Sequence, residues 1–263
     1  MMLKVFGVFE ITFKKVKEPA FSLLLVIALV IGACVSSMET LSLREDNGSM
    51  LLGLISLEQG VPLLSGFVII LFMTMIVAIF AGATDVPKDI ESRMIMLILT
   101  KPVTRIEYLF GKYLGIVAIC VFFFLAASIA SSVVHWMKSG EIFAFSLLAR
   151  QFLLLLAVLP FVALTIMIST FLSDISAMIL TSVYLIFSLL ASAVSVFVDM
   201  LPKSLESVSI VHIVAYFFPN FFYFFNAFKF SGIVIIAMIL YSFSMSAIFL
   251  FIAAFQMNRR DMI

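Results

Sequence analysis

Charge is what this sequence has least of. Only 12% of its 263 residues are Asp, Glu, Lys or Arg, against roughly 25% in an ordinary soluble domain, so a water-facing surface cannot be assembled from it. Histidine and cysteine are scarce too, with two of each. His135 and His212 stand far apart, and neither a His-Glu-x-x-His helix nor a cysteine pair is present to hold a metal. Cys34 and Cys120 both fall inside apolar runs, where a cysteine reads as a small packing residue. No Gly-x-Ser-x-Gly elbow occurs. The one Gly-Lys pair, Gly111-Lys112, has Ile106 where a phosphate loop needs its first glycine and Tyr113 where it needs Ser or Thr. The chain therefore offers no catalytic constellation, no metal site, and no cofactor or ATP site of its own. A net charge of +1 gives no footing for nucleic acid.

Apolar residues are what is there, 64% of the chain, with a mean hydropathy of +1.28. They gather into six long runs, Ala20–Met38, Val61–Thr84, Tyr108–Val134, Leu147–Leu172, Ile175–Val198 and Ser231–Phe255. The shortest holds 19 residues, which at about 1.5 Å each nearly matches a ~30 Å hydrocarbon core. Each helix closes its own backbone hydrogen bonds, as lipid requires. The expected fold is an all-α membrane protein of about six transmembrane helices, one transmembrane domain over residues 1–263. If the N-terminus is cytoplasmic, that side carries eleven Lys and Arg and the other side five. The positive-inside rule then puts both termini in the cytoplasm. Ile31-Gly32-Ala33-Cys34 is loosely like a lipoprotein cleavage box, but nineteen residues precede the first run and five runs follow it.

The segments between the runs are less uniform. In residues 1–19, Met2, Val5, Phe6, Phe9, Phe13 and Val16 share a helical stripe, blurred by Val8 and Ile11. This is either an interfacial helix with its lysines toward anionic headgroups or a basic flank that sets topology. Asn47-Gly48-Ser49 reads as a turn before a glycosylation site. Residues 85–107 form the richest loop: Asp85 and Pro87 look like a helix start, charges follow at Lys88, Asp89, Glu91 and Arg93, and then come six apolar residues, Met94–Leu99. Six residues cannot cross a bilayer, and a loop should not show them to water, so this chain's own helix ends or a partner must cover them. Pro102 ends that short helix. Thr104 and Glu107 have the spacing of a capping box opening the third span, and Gly111 and Gly115 allow close helix approach.

Pro160 is placed to kink the fourth span. Ser188, Ser192 and Ser195 form a small polar seam on the fifth, suited to packing or to lining a cavity. Residues 199–230 are too long for a turn, and their aromatic stretch Tyr216–Phe225, broken by Pro219, suits an outer re-entrant element or aromatic anchoring at the headgroups. Lys112, Arg150, Asp174 and Asp199 sit near predicted helix ends, where their head groups can snorkel. With no ionisable residue in mid-span and no evident repeat, an ion-driven carrier is disfavoured, and energy for any transport must come from another chain.

The stretch Asp85–Lys112, with Glu91, the apolar patch, Pro102-Val103-Thr104-Arg105 and Gly111-Lys112, resembles the segment after the second span of ABC type-2 exporter permeases. Ile168–Ser173 is similar to that family's second short connection, the N-terminal segment to its elbow helix, and the broken aromatic loop to its outer re-entrant helices. The resemblance implies a transmembrane subunit that pairs with a second permease chain, in a homo- or heterodimer, and docks on a separate ATP-binding subunit holding ATP and Mg. It also implies a prokaryotic inner-membrane location amid membrane lipid. The Asp85–Thr100 helix would be the cytoplasmic coupling element, with Asp89, Glu91, Arg93, Met94, Leu97, Pro102 and Arg105 as its docking and coupling residues. A non-transporting scaffold that recruits a cytoplasmic partner is the alternative, and an intramembrane enzyme using Ser49 or His212 a third reading.

Overall fold

The computed structural model describes residues 5, 7–12, 26–30, 34, 62–91, 104–139, 153–199 and 232–259. All the regular structure among them is helical. Five long helices are α1 (Pro62–Glu91), α2 (Arg105–Ser139), α3 (Val158–Phe171), α4 (Asp174–Asp199) and α5 (Gly232–Arg259). Four stretches are long and apolar enough to cross a membrane: Ile69–Asp89, Arg105–Val134, Leu153–Phe171 and Ile235–Met257. The protein is an integral membrane protein. The first expected span is described only at residues 26–30 and 34, which are helical, and residues 35–61, 92–103, 140–152 and 200–231 lie outside the described residues.

α3 is the hub of the bundle. Eleven of its fourteen residues are buried, which an all-round apolar helix permits, and it packs chiefly on α1 and α5 and also on α2 and α4. Gly82 of α1 makes the approach to α3 close, since a Cβ there would stand 2.8 Å from Thr165 Cγ2. The hydroxyls this core contains are mostly satisfied within their own helices: Thr74 donates to the Ile70 carbonyl at 2.7 Å, Thr165 to Phe161 at 2.8 Å and Ser246 to Ser242 at 2.7 Å. Such back-bonding lets Ser and Thr be buried in apolar surroundings. α5 is different: it presents Ile236, Leu240, Phe243 and Phe251 outward, as a lipid-facing helix does.

One expectation about helix limits changes. Asp85 and Pro87 do not begin a helix; α1 runs through both to Glu91. Pro87 removes one N–H from the ladder, but it lies near the helix end, where Val86 and Asp89 remain buried and hold the turn in place. The fourth and fifth runs are separate helices, parted at Leu172, whose backbone is extended. Pro160 acts upstream of itself. It has no N–H for the Leu156 carbonyl, and the α-helical pattern gives way at residues 156–157 to the tighter bonds Leu156 N–H to Leu153 (3.2 Å) and Ala157 N–H to Leu154 (3.0 Å).

Candidate functional site

The ends of α1, α3 and α5 and the starts of α2 and α4 gather at one end of the bundle. Ala83, Leu164, Ile168 and Ala177 form a common apolar cluster there, and the charged side chains of α1 and α2 meet beside it.

Helical spacing makes that meeting possible. Asp85 and Asp89 are four residues apart on α1, and Tyr108 and Lys112 four apart on α2, so each pair occupies one face of its helix. The Lys112 ammonium lies 2.6 Å from Asp85 Oδ2 and 2.7 Å from Asp89 Oδ2. The Tyr108 hydroxyl donates to the same Asp89 oxygen at 2.8 Å, and its ring centroid stands 5.8 Å from the ammonium. Lys112 is 1% exposed and Asp89 2%. Lys112 does not snorkel: two carboxylates supply what water would, the condition for keeping a charge buried. Asp89, expected on a docking surface, faces inward into this network.

Three further contacts fasten the start of α2. Thr104 and Glu107 bond reciprocally, the Thr104 N–H to Glu107 Oε2 at 2.8 Å and the Glu107 N–H to Thr104 Oγ1 at 3.3 Å, satisfying two donors the first turn would otherwise leave open. The Arg105 guanidinium donates to the Met257 carbonyl in the last turn of α5, where helix carbonyls lack partners. One helical step away, Gly111 and Gly115 receive the N-terminal segment, whose residues 7–12 are helical. A Cβ on Gly111 would stand 2.7 Å from Val8 Cβ, and one on Gly115 2.7 Å from Thr12 Cγ2. The face of that segment turned to α2 is thus Val8 and Thr12, both buried. Thr12 can be buried because its hydroxyl donates to the Val8 carbonyl at 3.0 Å.

Of the other residues singled out in the sequence, Glu91 closes α1, and nothing is described of its side chain. Arg93, Met94, Leu97 and Pro102 lie outside the described residues. Ser188 is buried on α4; Ser192 lies in the same helix, its side chain outside the described set. Asp85, Tyr108 and Lys112 are the site residues that sequence reasoning passed over, and the paired four-residue spacings were the available signal.

The sequence profile of the ABC-2 family transporter proteins matches residues 57–228, which include α1 through α4 and the loop between α1 and α2. A search of curated proteins finds no match.

Proposed function

Because the chain belongs to the ABC-2 family of transporter proteins, we propose that it is the permease subunit of an ATP-driven exporter, powered by a separate ATP-binding subunit. The observation that carries this reading is the construction around the loop of residues 92–103. Its entry stem, the end of α1, is bonded to α2, and its exit stem is capped and bonded to α5. A loop that merely connects two spans has no use for such anchorage; a loop pushed by a partner does. In this reading Glu91, Arg93, Met94 and Leu97 meet the ATP-binding subunit, Pro102 sets the turn, and Asp89 and Arg105 act behind that surface.

The rest of the assignment follows the charges and the family. Both termini and the 92–103 loop are cytoplasmic, on the side with eleven of the sixteen Lys and Arg. Six spans make up the domain: the four apolar stretches above, α4, and the first run Ala20–Met38. The N-terminal helix lies in the interface with lipid, and residues 199–230 form the outer re-entrant element. Two permease chains, alike or different, complete the pathway in a prokaryotic cytoplasmic membrane. The chain itself is no enzyme and holds no cofactor; ATP and Mg belong to the partner.

Purification of the tagged chain from its host in mild detergent tests the reading. A co-purifying subunit with a phosphate loop, lost when Met94–Leu99 is made polar in a chain that still inserts, is the expected result. Glu91→Ala should lower stimulation of that subunit's ATPase while leaving insertion intact. Recovery without any ATPase, under conditions that preserve exporter complexes, would favour the scaffold instead.

A further inference from the structure

We infer that Asp85, Asp89 and Lys112, with Tyr108, form a strut that holds the two stems of the 92–103 loop at a fixed spacing. For what pushes the loop, the inference rests on the permease reading above; the strut itself does not need it.

The placement argues for this. Asp89 lies two residues before the end of α1, and Lys112 lies two turns into α2, so the network joins the two helices close to where the chain connects them. Its members are short or stiff. Two aspartates have little reach, Tyr108 has a rigid ring, and the flexible lysine stem is pinned by two carboxylates at 2.6 and 2.7 Å. Separating the stems would pull the Lys112 ammonium, 1% exposed, away from both carboxylates, so the network resists extension far more than an apolar contact of equal size.

Stability alone does not account for the arrangement. Buried ion pairs hold a fold no better, and often worse, than well-packed apolar residues of the same shape. What they supply is one geometry. The surrounding contacts point the same way: the first three turns of α2 are fixed by Gly111 and Gly115 to the N-terminal helix, by Tyr108 and Lys112 to α1, and by Arg105 to α5. With the strut intact, a displacement of the loop moves these elements together. Without it, the displacement dissipates at the base of the loop. Asp85, Asp89, Tyr108 and Lys112 are therefore positioning residues.

The test separates geometry from stability. In a full-length chain with Cys34 and Cys120 replaced by Ala, spin labels go at Lys88 and Ile106, both exposed beside the loop. The chain is reconstituted in lipid with its co-purified ATP-binding subunit. The variant is the neutral triple Asp85→Asn, Asp89→Asn, Lys112→Met. It should insert and melt no lower than the parent, yet show a broadened label-to-label distance distribution and about a tenfold loss of ATPase stimulation, the size of an ordinary coupling. A triple variant with a narrow distribution and full stimulation would overturn the strut. Should the triple not fold, the double Asp85→Asn, Asp89→Asn, which keeps the side-chain shapes and removes both ion pairs, must still broaden the distribution; an unchanged one overturns the proposal equally. If no ATP-binding subunit accompanies the parent chain, the permease reading fails, and the distance distributions of the chain alone still judge the strut.

Discussion

Between α3 and α4 the chain turns through Leu172 and Ser173 alone, whereas α1 and α2 are separated by residues 92–104. The helix ends flanking both connections lie at the same end of the bundle, and they are held differently. The short one is closed by its own residues: the Ser173 and Ser176 hydroxyls meet at 2.9 Å, and the Ala177 N–H donates to the Ser173 carbonyl at 2.8 Å. The long one is closed by residues far apart in sequence, through Lys112 with Asp85 and Asp89, and through Arg105 with Met257. A two-residue turn fixes its neighbours by connectivity. A longer loop leaves its stems independent unless something else joins them, and here buried charge does the joining.

That contrast can be broken from the long side first. Lys112→Met takes the ammonium out from between Asp85 and Asp89, and loss of one partner from a buried ion pair costs about 3–5 kcal/mol. Its melting temperature in detergent should fall well below that of any variant at the short turn. An unchanged melting temperature would mean that the carboxylates find water or a proton at no cost. Next comes Gly115→Val, which puts side-chain atoms where Thr12 Cγ2 now stands 2.7 Å from the Cβ position. Overpacking of this kind costs about 1–3 kcal/mol, and the expected readout is faster maleimide labelling of a cysteine at position 8. Thr104→Ala removes half of the capping box, worth about 1 kcal/mol. Amide exchange in the first turn of α2 should quicken while the rest of the helix keeps its protection. Ser176→Ala sharpens the comparison from the other side: at a half-buried, locally bonded position its effect on melting should stay within about 0.5 kcal/mol. A larger loss there would show the short turn to be strained as well.

How much of this was legible in the sequence depends on whether the signal was local. The four membrane-crossing stretches were visible because a bilayer sets their length and composition. The Thr104-Glu107 spacing was legible because a capping box lies within one turn. The network around Lys112 was not, since its two faces belong to separate helices and Asp85 lay beside Pro87, whose usual place is a helix start. Reading Asp85/Asp89 and Tyr108/Lys112 together as two complementary faces would have supplied the pairing. Which face of the N-terminal segment meets α2 was not legible for a simpler reason. Phenylalanines dominate a hydrophobic stripe, but a glycine-lined surface selects small, close-fitting residues, and Val8 and Thr12 are the ones that fit.

The ion network also bears on how the chain enters its membrane. Lys112 arriving on α2 alone, or Asp85 and Asp89 on α1 alone, would each carry charge into lipid, at a cost approaching ~2.5–3.5 kcal/mol per residue toward the middle of a helix and less near its end. The two helices are consecutive in the chain, and the Lys112 charge meets both carboxylates as soon as they lie side by side. Release from the insertion machinery is therefore cheaper as a hairpin than helix by helix. α3, apolar on every side, carries no such debt and can insert singly before finding its place among the others.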